Sequence, residues 1–132
     1  MADFIGEPPM NLLPVVVKKL NCGFCFVLQD GTKIKAPAKF NSVLDEGQQY
    51  TMGIRPTSIT IADEIDFDAE FTVDVFENLG DERIVSIRIL EDFLTIVIED
   101  MLVFQKGNKI YVKMKEDLLY LFDRETGERI RE

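Results

Sequence analysis

Along most of the chain, apolar residues recur at every second position, the spacing of strands with one buried face. "IYVKM" sets Ile110, Val112 and Met114 against Tyr111 and Lys113. "IVSIRI" sets Val85, Ile87 and Ile89 opposite Ile84, Ser86 and Arg88, and "LTIVI" groups Leu94, Ile96 and Ile98. "FTVDVF" groups Phe71, Val73 and Val75. Earlier, Val15 and Val17 alternate with Val16 and Lys18, Phe24, Phe26 and Leu28 alternate with Cys25 and Val27, and Tyr50, Met52 and Ile54 share a face. Turn residues separate these runs. Asp30-Gly31 has the composition of a tight hairpin, Glu91-Asp92 is a turn without glycine, and Gly107-Asn108 precedes the "IYVKM" strand. Helix signals are short: "NSVLDEG" predicts one capped turn ending at Gly47, and "EDLLYLF" another. The expected class is all-β with minor helix, a closed or nearly closed barrel.

The 132 residues suit one domain, or one domain with an appended subdomain. The acidic shift at "ADEIDFDAE" marks a candidate joint between two lobes near 62–70. Hydrophobic residues make up 46% and charged residues 30%, the balance of an ordinary soluble globular chain. The formal net charge of −9 argues against nucleic acid and against anionic lipid surfaces, since both demand cations. No run is long enough to cross a bilayer and no secretory leader is present, so a cytoplasmic location is expected. The absence of histidine excludes Ser–His and Cys–His catalysis and most zinc chemistry.

Two constellations invite chemistry. Cys22-Gly23-Phe24-Cys25 has redox spacing, but that chemistry needs a helix N-terminus in a βαβ setting to stabilise the thiolate. Here the stretch reads as strand and hairpin, with the two thiols on opposite faces. Asp63, Glu64, Asp66, Asp68 and Glu70 lack the spacing and the glycine of a calcium loop, and read as a solvated connector. No glycine-rich phosphate cradle of either common type is present. The residues by themselves describe a β-barrel interaction domain with no catalytic or cofactor residue and no metal ligands.

Four stretches, in order, carry a resemblance: "FIGEPPMNLL", "YTMGIRPTSITI", "FTVDVFENLGDERIV" and "GNKIYVKMKEDLLYLFDRETGERI". Together they resemble the C-terminal regulatory region of sugar-importer ABC ATPase subunits of the maltose-transporter type. The resemblance implies an oligobinding-like (OB) β-barrel related to molybdate-binding barrels, built as two intertwined lobes over 12–132. It implies that residues 1–11 form a joint to an ATPase domain, through Phe4, Ile5, Gly6, Pro8, Pro9, Met10 and Asn11, and that Met1 is an engineered or alternative start. ATP and Mg would belong to that ATPase domain, with no cofactor in this chain. The implied partners are a second copy (a homodimer), the ATPase domain, transmembrane permease subunits and a cytoplasmic regulator. The implied location is the inner face of the cell membrane.

Arg55, Pro56, Glu77, Leu79, Gly80, Phe122 and Asp123 match the family pattern and are candidate contact or shape-setting positions. Thr57 and Ser58 stand where the family usually has an acidic residue and histidine, and Asn108 where Gly-Asp is common. Strand alternation leaves second-face apolar residues, Phe76, Ile84 and Val97, as a candidate dimer face. A rival class is a small-ligand barrel that binds an oxyanion, although no cationic cluster forms an evident anion nest.

Overall fold

The computed structural model describes residues 9–21 and 23–131. Three sheets share one core. The largest has the order β12-β11-β4-β1-β2-β3, built from β1 (Asn11–Leu20), β2 (Gly23–Leu28), β3 (Lys33–Lys35), β4 (Gln49–Ile54), β11 (Leu119–Asp123) and β12 (Arg129–Ile130). A second has the order β5-β10-β6, from β5 (Ile59–Ala62), β6 (Ala69–Thr72) and β10 (Lys109–Met114). The third, β7-β8-β9, uses β7 (Val75–Asn78), β8 (Arg83–Ile89) and β9 (Asp92–Ile98). All the pairings are antiparallel, and the fold is the expected OB-like all-β type. Among the described residues, helix is limited to 3₁₀ turns at Ala38–Phe40, Pro56–Ser58 and Glu116–Leu118.

The alternation sorts residues much as the pattern requires. Val15, Val17, Phe26, Met52, Ile54, Val85, Ile87, Leu94, Ile96, Val112 and Leu121 are buried. Each large side chain removed from water stabilises the fold by about 1.5–3 kcal/mol before entropy is subtracted. One run breaks phase. Phe71 and Val73 face the core, but Val75 is exposed, because the chain leaves β6 at Thr72 and enters another sheet at Val75. The Asp74 N–H to Ser86 C=O bond, 2.9 Å, marks that crossing.

The turns follow their chemistry with two shifts. The β2–β3 hairpin closes at Asp30-Gly31, where Gly31 takes φ +92° and the Asp30 carboxylate accepts the Thr32 N–H at 2.9 Å. The β8–β9 turn is Leu90-Glu91 rather than Glu91-Asp92, since Ile89 pairs with Asp92. This places Leu90 at φ +55°, a region costly for a side chain with a Cβ. "NSVLDEG" holds no helix. The 3₁₀ turn lies just before it, and Leu44 tucks in by its N–H to the Phe40 C=O at 3.1 Å. In "EDLLYLF" a 3₁₀ turn gives way to β11 at once, because Leu119 and Leu121 are needed on one strand face. The acidic connector 63–68 joins β5 to β6, which flank β10 in one sheet. Asp63 organises it by accepting the N–H groups of Ile65 and Asp66 at 3.0 and 2.8 Å.

Candidate functional site

Two of the sequence-singled motifs converge on one cleft. Pro56–Ser58 forms a 3₁₀ turn between β4 and β5, with proline in its first turn. It presents Thr57 and Ser58 to a cleft of about 480 Å³ whose other residues include Thr60, Val97, Glu99, Asp100 and Lys115. Arg55, exposed, opens this turn, and Pro56 is buried beneath it. The Ser58 C=O accepts the Lys115 N–H at 3.1 Å, tying a third segment to the rim.

The wall formed by Glu99 and Asp100 is held from behind by a residue that the sequence reading did not single out. Arg83 is 2% exposed. Its guanidinium donates to the carbonyls of Glu99 (3.1 Å), Asp100 (2.9 Å) and Gly80 (2.7 Å), and lies 2.8 Å from the Met101 sulfur. A planar fork of donors suits several carbonyls at once, which a lysine ammonium cannot match. Gly80 has φ +96° and its N–H is accepted by the Asn78 side chain at 3.0 Å. The "ENLG" stretch is therefore a turn closed onto a buried arginine, with Glu77 and Leu79 projecting to solvent. A signal was present in the sequence: Arg83 is in phase with Val85, Ile87 and Ile89, so alternation alone puts it inside.

A second cluster gathers the remaining motif residues. Phe122 and Met10 pack over Gly53, where an added Cβ would lie 2.9 Å from the Phe122 ring and 2.8 Å from the Met10 sulfur. The glycine of "GIRP" thus serves close packing. Asp123 accepts the N–H groups of Glu125 and Thr126 at 2.8 and 2.9 Å, and these bonds lower its pKa below the usual carboxylate value.

Of the joint residues, Phe4, Ile5, Gly6 and Pro8 lie outside the described residues. Pro9 is exposed and Met10 half-buried. Asn11 is 6% exposed, and its side chain bonds both backbone groups of Thr95, donating to the C=O and accepting the N–H, each at 2.9 Å. It imitates a neighbouring strand at the edge of β9 and joins two sheets of this domain.

The three residues of the candidate dimer face do not share a face. Cross-strand partners point the same way, and Phe76 pairs with the buried Val85, whereas Ile84 pairs with Val97. Phe76 packs inward against Phe104, ring centroids 6.2 Å apart. Val97 is 7% exposed in the cleft, leaving Ile84 half-buried on the same sheet face as exposed Val75 and Phe93. Cys25 is buried on β2, and Cys22 lies outside the described residues. Among the described residues no cluster of three acidic or thiol side chains is placed to hold a metal ion, and no helix is long and apolar enough to cross a membrane.

Comparison with known proteins agrees with this geometry. Residues 6–59 match the family model described as the MalK OB fold domain. Over 130 residues, 98% of the chain, it is 30% identical to the sn-glycerol-3-phosphate import ATP-binding protein UgpC of Salmonella typhi, and equally to those of Escherichia coli (strain K12) and Shigella boydii. The chain spans 35% of the length of each of these relatives. A solved structure of the cytoplasmic molybdate-binding protein ModG, with molybdate bound, superposes with a TM-score of 0.63. That match covers 89% of this chain and 98% of ModG at 14% identity, a likeness of fold.

Proposed function

We propose, on the premise that this chain belongs to the family of MalK-type OB fold domains, that it is a non-catalytic regulatory and dimerisation domain of an ABC importer ATPase subunit. The observation that carries the reading is the alignment along 98% of the chain with import ATP-binding proteins. In this reading ATP and Mg are handled by a separate ATPase domain, and the permease subunits place the assembly at the inner face of the membrane. The domain acts by position. Paired copies would hold two ATPase domains at high effective concentration, and the cleft at Thr57, Ser58 and Asp100 offers a regulator a rigid contact. A ligand-binding role of the oxyanion type fits the cleft poorly, because Glu99 and Asp100 oppose an anion and, among the described residues that line it, Lys115 alone is cationic.

The test is sedimentation at several concentrations and two salt levels. We expect a weak two-fold dimer through Val75, Ile84 and Phe93, strengthened by salt because each copy carries −9. A strict monomer at high concentration and high salt would remove the tethering mechanism. Calorimetric binding of molybdate would favour the ligand-binding role instead.

A further inference from the structure

The outward face of the six-stranded sheet combines two features. Its central strand, β1, turns Leu12, Pro14 and Val16 away from the core, and Leu12 is 56% exposed. The solvent face of an antiparallel sheet is ordinarily polar. The register extends this stripe sideways, to Val27 on β2 through Val16, and to Phe122 and Tyr120 on β11 through Thr51 and Gly53 of β4. The second feature is charge. The same register places Lys18, Lys33, Lys35 and Arg129 on this face, and Arg124 joins them by donating to the Gln49 side chain at 2.9 Å. All five are exposed, and the strands of this face contribute no outward carboxylate.

Their surroundings sharpen the contrast. Among the described residues, ion pairs go to Lys106, Lys109 and Lys113, at 3.9, 3.2 and 2.7 Å, none of them on this sheet. Among the described residues none of the five cations on the sheet face has a carboxylate within ion-pair distance, and Asp68 and Glu116 approach only the edge of the face, lining a cleft with Lys33 and Lys35. A chain of net charge −9 thus gathers cations without a described carboxylate partner around an apolar sheet face.

We infer that this face docks a partner protein whose contact surface is apolar at its centre and acidic at its rim. Charge complementarity selects that occupant. A second copy applied through the same face by a two-fold axis would bring like cations together. An anionic bilayer would attract the face but repel the remainder of the chain. The inference draws on the regulatory reading only for its biological meaning. The test below probes the face itself, so it can fail while the domain assignment stands, and the reverse.

The probe is a synthetic seven-residue peptide alternating glutamate with leucine and phenylalanine, with a lysine-for-glutamate version as control. The chain is ¹⁵N-labelled and followed by NMR. We expect the acidic peptide to shift the amides of Leu12, Val16, Gly53 and Phe122 saturably. Affinity should fall on the order of tenfold between low and high salt, and by a similar factor in Lys18→Glu with Lys33→Glu, two exposed changes that leave the core untouched. The lysine peptide should leave the spectrum unchanged. Equal binding of both peptides, shifts confined to other strands, or no shift at millimolar peptide would each overturn the inference. So would co-sedimentation with phosphatidylglycerol vesicles through this face, or concentration-dependent shifts of the same amides without peptide, which would identify lipid or a second copy as the occupant.

Discussion

Replacing Asn11 by alanine removes two hydrogen bonds without changing a strand. In the intact chain the Asn11 amide satisfies both the N–H and the C=O of Thr95, each at 2.9 Å. Each bond contributes about 1 kcal/mol net, and an orphaned buried partner costs about 1–3 kcal/mol. Thr95 is half-buried, so water relieves part of that penalty and the total should be about 2–3 kcal/mol. For a domain of this size that corresponds to a fall in melting temperature of roughly 10 °C. Asn11→Asp should lose at least as much at neutral pH. It keeps an acceptor for the Thr95 N–H but sets a carboxylate against the Thr95 carbonyl. Leu12→Ala, one residue along and exposed, should cost under about 1 kcal/mol. Urea denaturation gives the energies, and amide exchange gives the location, with the Thr95 amide accelerating more than that of Ile96. If Asn11→Ala stays within about 0.5 kcal/mol of the parent and the Thr95 amide remains slow, the β9 edge is held by something else, and Asn11 returns to being a joint residue only.

Three further outcomes follow from the same geometry. Arg83→Ala should cost about 3–5 kcal/mol in denaturant unfolding, because three carbonyls lose charge-assisted donors worth about 1.5–3 kcal/mol each and water recovers part of that. Arg83→Lys should recover less than half of that, and full recovery would mean that the forked geometry is irrelevant. Leu90→Gly should raise stability by about 0.5–1 kcal/mol, because glycine adopts φ +55° without steric penalty; a loss would show that Leu90 makes compensating contacts. Asp63 and Asp123 have pKa values lowered chiefly by the N–H groups of Asp66 and Thr126 respectively. Their contribution is present above the ordinary carboxylate range and disappears as pH falls through the lowered folded values. The urea midpoint should therefore drop on acidification below about pH 4, and Asp123→Asn should flatten that drop; an unchanged slope would separate these turns from acid stability.

Much of the strand content was legible because half-buried antiparallel strands impose a period of two that no other element shares. Val85, Ile87 and Ile89 could be assigned to the core from that period alone, and so could Arg83. The misses have local causes. Val75 fell out of phase because a chain changing sheets resets its alternation, and the reset at Val73-Asp74 carries no glycine or proline. Leu90 went unnoticed because side chains seldom occupy positive φ, and only the register of β8 against β9 forces it there. The bonds of Asn11 to Thr95 were not foreseen because 84 residues separate the two.

By itself the sequence determined which face of most strands is buried and where the Asp30-Gly31 hairpin falls. These depend on neighbours within a few residues and on side-chain types. Tertiary structure alone decided which motifs meet. Thr57 and Ser58, just after "GIRP", line one cleft with Glu99 and Asp100, and Arg83 ties the "ENLG" turn to that wall through the carbonyls of Gly80, Glu99 and Asp100. The cations of β1, β3, β12 and the β11–β12 turn share a face only after β4 and β11 pair beside β1. Cross-strand register between distant segments is fixed by the cooperative burial of a common core, a property of the whole chain that no local window contains.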